Sequence, residues 1–243
     1  MPDDQAHSTA TTDRPREYRQ ARFTPPPGAC EVLLVRHGES EPARPEEPFP
    51  LVDGHGDPAL HRVGRVQAER VADRLEHEPL AAIYVTTLRR TVQTAEPLAA
   101  RLGLEPRVER DLREVHLGAW EGGSFRQHVA ESHPLVQKML AEQRWDVIPD
   151  AEPADQFAAR VRAGLERVAA AHPDQTVAVV THGGVIGQVL ADASGSRAFA
   201  FTGADNASIS HLVVLPGGRW VVRRYNDTAH LGLGFTTAPE PLT

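Results

Sequence analysis

Arg36, His37 and Gly38 end a short apolar run, "EVLLV", in the stretch "EVLLVRHGES". A buried strand that stops on a cation, an imidazole and a glycine puts groups able to grip and attack an anion at a strand end. Two other segments repeat the arrangement. Arg89 and Arg90 lie in the first turn of a predicted helix after the strand "LAAIYV", and His182, Gly183 and Gly184 follow the strand "TVAVV". In a parallel sheet these points all fall at the carboxyl ends of strands, where open α/β sheets bind ligands. Helix N-termini at that edge offer N–H groups to an anion, and glycines let backbone come close to it. Two histidines and at least two arginines therefore converge on one anion site. Each fragment alone is ordinary, since His and Gly are common in turns and an arginine pair is commonly a solvated face. The joint pattern carries the reading. Neither histidine has a neighbour at metal-ligand spacing, and two histidines make a poor zinc site. No metal and no cofactor is expected.

The elements that must position these groups alternate along the chain. After "EVLLV" comes a Pro- and acid-rich loop over residues 41–60, long enough to suggest a functional or disordered segment. The stretch "HRVGRVQAERVADRLEHE" reads as an amphipathic helix with Val63, Val66, Ala68, Val71 and Leu75 near one face. "LAAIYV" is a strand. "TTLRRTVQTAEPLAARLG" is a helix with Thr87 as N-cap, Gly103 as its stop, and Leu88, Val92, Ala95 and Leu102 inward. A short strand is expected at Arg107–Val108, and two short helices around Pro134 within residues 124–145. "ADQFAARVRAGLERVAAAH" buries Phe157, Val161, Leu165 and Val168, and "QTVAVVTHGGVIGQVLAD" is strand, tight turn and helix. Two strands joined by Pro-Gly-Gly close the pattern. The expected fold is a three-layer α/β/α sandwich, with a mostly parallel central sheet and an antiparallel edge.

Bulk composition sets limits. The chain has 243 residues, 40% hydrophobic, with a net charge of −7. That supports a full core and argues against a nucleic-acid partner, which usually meets a basic surface. No apolar run reaches membrane-spanning length, and the N-terminal stretch does not read as a secretory leader. Cys30 is the only cysteine, so no internal disulfide forms, which fits a reducing, cytoplasmic setting; it reads as a packing residue. Residues 1–28 read as a flexible N-terminal tail, and residues 29–243 as a single domain.

Taken in order, "LLVRHGES", "DPALHRVGRVQA", "TTLRRTVQTAEPLA", "LREVHLGAWEG" and "VVTHGG" resemble the motifs of the histidine phosphatase superfamily, also called phosphoglycerate mutase-like. The resemblance runs from about Glu31 to Asn226 and favours the phosphatase branch. It implies a phosphoglycerate mutase-like fold and a metal-independent phosphomonoester hydrolase working through a phosphohistidine. His37 would be the nucleophile, Arg36 a phosphate ligand, and Arg90 the family's second arginine, with Arg89 turned outward. His182 would be the second histidine on the phosphate, and Glu114 the proton donor. Glu121 is a nearby rival, but the family's donor lies upstream of it. Ser40 and Gly183 would join Arg36, Arg90 and His182 in binding substrate.

These roles suit the chemistry. Phosphoryl transfer spreads charge over three equatorial oxygens with attacking and leaving atoms in line. Arginine pairs with such oxygens bidentately and stays charged. Two arginines, a protonated His182 and a helix N-terminus would stabilise that charge, while Gly38 makes room. His37 must be neutral at its attacking nitrogen, and Glu114 must carry a proton for the leaving alkoxide.

The chain departs from the family pattern at Ala43, where many members have Asn, and in the acidity of the 41–60 loop. Acids near the pocket would repel a highly charged substrate. Arg44 and Arg62 would offset this or bind a second anionic group. The expected partner is a small phosphorylated molecule, with no membrane and no nucleic acid, and a homodimer is left open. Mutase-type transfer between hydroxyls and a non-catalytic phospho-ligand module are the alternatives. Glu114 and His182 stand 68 positions apart, which resembles the shorter, phosphatase spacing, and all five key positions are filled.

Overall fold

The computed structural model describes residues 18–232. Most of the expected tail, residues 1–17, lies outside the described residues, as do residues 233–243 at the end of the expected domain; residues 18–28 carry no helix or strand. Six strands form one sheet: β1 (Cys30–Arg36), β4 (Leu80–Val85), β5 (Arg107–Val108), β6 (Thr176–Thr181), β7 (Ile209–Val214) and β8 (Trp220–Asp227). Their spatial order is β5-β4-β6-β1-β7-β8. The pairs β5–β4, β4–β6 and β6–β1 are parallel. β1–β7 and β7–β8 are antiparallel, which makes the antiparallel edge.

The two-residue alternation of β1 builds both core layers. Val32 and Leu34 face one side, where they meet Phe157, Val161, Leu165 and Ile186 of helices α5 (Ala154–Ala170) and α6 (Gly183–Ser194). Leu33 and Val35 face the other, against Val71, Leu75, Ala95 and Leu98 of α1 (Arg62–Leu75) and α2 (Arg89–Leu102). A central strand buried on both faces needs a continuous apolar run, and Val32–Val35 supplies it between Glu31 and Arg36.

Two local expectations need correction. Val63 and Val66 are exposed, and the inner face of α1 is instead Gly64, Ala68, Val71, Ala72 and Leu75. Gly64 presses against the Glu39 backbone: a Cβ there would lie 2.0 Å from the Glu39 carbonyl oxygen. That contact sets the helix rotation, and apolar periodicity cannot show it. Thr87 does not cap α2. Leu88 holds the N-cap position without a side-chain bond, and Asp57 of the 41–60 loop accepts the Arg89 N–H at 2.8 Å. That loop also contains a small antiparallel ladder, β2 (Leu51–Val52) with β3 (His55–Gly56). The two short helices around Pro134 are α3 (Ser124–Ala130) and α4 (Pro134–Glu142), which opens on Pro134 itself. Proline is well suited there because its missing N–H has no intrahelical partner at a helix start.

Candidate active site

Strand register brings the two histidines together. Arg36 pairs with Thr181 across β1 and β6, so His37 and His182, each one residue further on, emerge side by side. The His37 N–H donates to the Thr181 carbonyl at 3.0 Å. The two rings stand 5.2 Å apart at 63°.

His37 is held in one tautomer. Its Nδ1 lies 2.8 Å from the Gly38 carbonyl oxygen, which only accepts, so Nδ1 carries the proton. Nε2 keeps its lone pair, and the Nε–H of Arg90 donates to it at 3.2 Å. Burial first, then the Arg90 and Arg36 charges, push the imidazole pKa well below its usual range. Gly38 makes room, as expected, but for a different neighbour. A Cβ at Gly38 would sit 2.5 Å from the Gly64 carbonyl oxygen, so the glycine admits helix α1 rather than a ligand.

His182 caps α6 and is fully buried. Its Nε2 lies 3.0 Å from the Thr86 hydroxyl at the end of β4. Its Nδ1 is buried with no hydrogen-bond partner among the described residues. Burial, Arg90 and His37, in that order, push its pKa well below the usual range. Burial and these neighbouring charges therefore favour the neutral ring, against the protonated His182 expected from the sequence.

The arginines close around this pair. Arg90 donates through Nη1 to the Gly56 carbonyl of β3 at 2.8 Å, and Arg36 donates through Nη1 to the Ala204 carbonyl. Arg89 turns outward, where it forms an ion pair with Asp57 at 2.8 Å.

Glu114 lies on an irregular segment after β5, and Arg160 of α5 clamps that segment. Arg160 donates to the carbonyl oxygens of Asp111, Arg113 and Glu114 at 2.7, 2.8 and 2.8 Å, and is itself held by Glu152 at 2.6 Å. The Glu114 carboxylate accepts the Gly184 N–H at 3.2 Å and the Val115 N–H at 3.0 Å. A Cβ at Gly184 would stand 2.4 Å from Oε1 of Glu114, so this position must be glycine for the acid to occupy its place. Glu121 has a different task. It accepts the N–H groups of Gly56 and Leu117 at 2.7 and 2.9 Å, tying β3 to the segment that carries it.

A cavity of about 180 Å³ opens at this edge. Arg36, His37, Arg90, Glu114 and Gly183 line it, and His182 and Ser40 are not part of its lining. Ser40 accepts a hydrogen bond from Nη2 of Arg126 at 2.7 Å. Sequence reasoning missed Arg126, which lines the cavity from α3. It donates through Nη1 to the Glu41 carbonyl at 2.8 Å and lies 5.3 Å from the Phe49 ring centroid. Burial, then Arg90 and Arg36, push its pKa down to about 10. A single arginine on a short helix carries no sequence signal. Arg44 and Arg62 are exposed and line nothing here, Arg44 lying 3.7 Å from Glu47. The loop's acids are also absent from the wall, to which it contributes Phe49, His55, Gly56 and Pro58.

The description of the histidine phosphatase superfamily (branch 1) matches residues 32–228. Phosphoglycerate mutase-like protein 4 of Arabidopsis thaliana is 35% identical over 206 residues, covering 83% of this chain and 87% of that protein. Phosphoserine phosphatase 1 of Hydrogenobacter thermophilus is 33% identical over 216 residues, covering 87% and 99%. Among solved structures, the native mycobacterial glucosyl-3-phosphoglycerate phosphatase matches with a TM-score of 0.68 at 28% identity, covering 82% of this chain and all of that one.

Proposed function

The chain belongs to the histidine phosphatase superfamily, and from that premise we propose that it hydrolyses small phosphomonoesters through a phosphohistidine on His37. The observation that carries this reading is the tautomer of His37. Its Nδ1 proton is committed to Gly38 and its Nε2 lone pair faces Arg90, so a neutral nucleophile touches a fixed cation.

The steps follow from the groups present. Nε2 of His37 attacks phosphorus, and the N–P bond forms as the bond to the alcohol oxygen breaks. Arg36 and Arg90 take up charge on the equatorial oxygens, with Arg126 adding positive field. His182 contributes through Nδ1: with the Thr86 hydroxyl donating to Nε2, the neutral ring carries its proton on Nδ1 and donates it to a phosphoryl oxygen. Glu114 protonates the departing alkoxide. Water then attacks the phosphohistidine and gives its proton to Glu114, the N–P bond breaks, and His37 is restored. The cations that this chemistry requires are all side chains, which supports a metal-independent reaction.

Mutase-type transfer is the second reading, favoured by the Arabidopsis relative's name. The deciding test measures phosphate release from a panel of phosphomonoesters with EDTA present, wild type beside His37→Ala. Release by the wild type alone supports the hydrolase. Phosphoryl exchange between phosphoglycerates without release replaces it with the mutase, and full activity in His37→Ala overturns both.

A further inference from the structure

Beyond the arginines the cavity changes character. Its outer wall is built from Trp120, Phe125, Val136, Met139, Leu140 and Trp145, on α3, α4 and the turns beside them. Trp120, Val136 and Met139 are buried, while Leu140 stands at the surface, 37% exposed. The aromatic rings pack on one another, Phe125 lying 6.2 Å from Trp120 and 6.0 Å from Trp145. This wall is therefore preformed rather than assembled around a ligand.

The polar groups of the cavity gather at the other side, and apart from the buried Nε2 of His55, which has no partner among the described residues, Arg90, Glu121 and Arg126 have bonds already made. Arg90 and Glu121 both engage Gly56 of β3, where His55 also sits. Both oxygens of Glu121 accept backbone N–H groups. Arg126 is the third cation on the wall, yet both its terminal nitrogens donate to the Ser40–Glu41 backbone turn and hydroxyl, and no carboxylate forms an ion pair with it among the described residues. Its fork thus braces a loop, and its charge acts on the phosphoryl group beside Arg36 and Arg90. A carboxylate on the alcohol half of a substrate would meet indole, phenyl and thioether surface. Burying it there without a partner is unfavourable, whereas an apolar ring loses nothing but water. An apolar cavity of roughly 150 Å³ is enough for benzene, and the about 180 Å³ here also holds the phosphoryl end, so the alcohol is no larger than a single ring.

We propose that this site selects phosphomonoesters of apolar, ring-sized alcohols over those whose alcohol carries a second anionic group. The inference rests on the phosphomonoester reading above and names its substrate class. It sets this chain apart from its named relatives, which are described by phosphoserine and by glucosyl-3-phosphoglycerate.

Binding can be measured without turnover. Calorimetry with benzylphosphonate, methylphosphonate and phosphonoacetate compares a phenyl ring, a methyl group and a carboxylate on the same non-hydrolysable head. Benzylphosphonate is expected to bind at least about tenfold more tightly than either, the order of discrimination that apolar pockets give, with a negative heat-capacity change. Any smaller preference, or tighter binding of phosphonoacetate, overturns the proposal. Leu140→Asn, at the exposed rim, is expected to reduce the benzyl-to-methyl affinity ratio at least about threefold; an unchanged ratio removes the ring from this wall. Hydrolysis of benzyl phosphate is read separately. Tight benzylphosphonate binding without phosphate release would discard the hydrolase and keep the apolar preference, and release without that preference would do the reverse.

Discussion

The Nε–H of Arg90 donates to Nε2 of His37 across 3.2 Å, so the proposed phosphate-binding cation and the proposed attacking nitrogen are already in contact. The same guanidinium is anchored through Nη1 to Gly56. Arg90 thus enters from α2 and spans from β3 to the end of β1, and its plane sets where a phosphoryl oxygen must lie relative to Nε2. A lysine could carry the charge but not that geometry, because an ammonium is a point donor without a planar fork. Arg90→Lys is expected to lower kcat/KM by about 10²–10³-fold, the usual loss for a fixed transition-state donor. The circular dichroism spectrum and melting curve should show the fold retained. A loss below tenfold would mean that Arg90 supplies field only.

Stability should depend on pH through the buried histidines, His37 and His182 foremost among them. His37 and His182 both have pKa values pushed well below the ordinary range by burial and by Arg90, while the unfolded chain titrates near about 6.5. The unfolded state therefore binds more protons at acid pH, and stability rises with pH in that window. It is complete above about pH 6.5 and falls as pH drops below it. Each histidine contributes a slope of up to about 1.4 kcal/mol per pH unit. Denaturant titrations from pH 7 down to 5 should show this decline, and His37→Ala should remove about one histidine's share of the slope. Identical slopes in wild type and variant would mean that His37 is not held neutral by the fold.

What could be read from the chain, and what could not, divides along sequence distance. His37, Arg90 and His182 each follow a strand within five residues, so an apolar run marks the place of each one. Asp57 caps α2 from 32 positions away, whereas local capping preference points only to the adjacent Thr87. Arg160 holds the Glu114 segment from 46 positions away, with nothing in "ADQFAARVRAG" to distinguish it from a solvated helix arginine. Arg126 was hidden for the same reason. The rotation of α1 depends on Gly64 meeting Glu39, and a glycine adds nothing to an apolar pattern. Alternation and motif order therefore reveal strands and their ends, while contacts between distant segments decide how each group is braced.

The two neighbouring glycines of α6 should differ sharply. A Cβ at Gly184 would lie 2.4 Å from the Glu114 carboxylate, whereas one at Gly183 would meet the Arg36 side chain at an ordinary 3.4 Å. Gly184→Ala must displace the carboxylate and remove the N–H contact's geometry, so kcat is expected to fall by roughly 10²-fold, the lower end of a general acid's contribution. Gly183→Ala should cost less than tenfold in kcat, since the neighbouring guanidinium needs no more than contact-distance adjustment. Steady-state kinetics on one alkyl phosphate compares them directly. Equal losses would show that helix packing, rather than the acid, makes these positions sensitive.

The role proposed for Glu114 makes a sharper demand, because an acid matters only as much as the leaving group needs a proton. An alkoxide is a poor leaving group and p-nitrophenolate is a good one. Glu114→Gln keeps the side-chain shape and an oxygen that can accept the Gly184 N–H, but it carries no transferable proton. First-step turnover of an alkyl phosphate should fall by about 10²–10⁴-fold, the range for general acid catalysis. p-Nitrophenyl phosphate should still phosphorylate His37 at a rate much closer to wild type. Its second step then lacks the base that activates water, so the phosphohistidine should accumulate. Rapid mixing should show a burst of p-nitrophenol near one equivalent per enzyme, followed by slow turnover, with the acid-labile phosphate on His37. Should both substrates instead lose rate in equal proportion with no burst, Glu114 would be a positioning residue, and Glu121, the other carboxylate on the cavity wall, would become the acid to test.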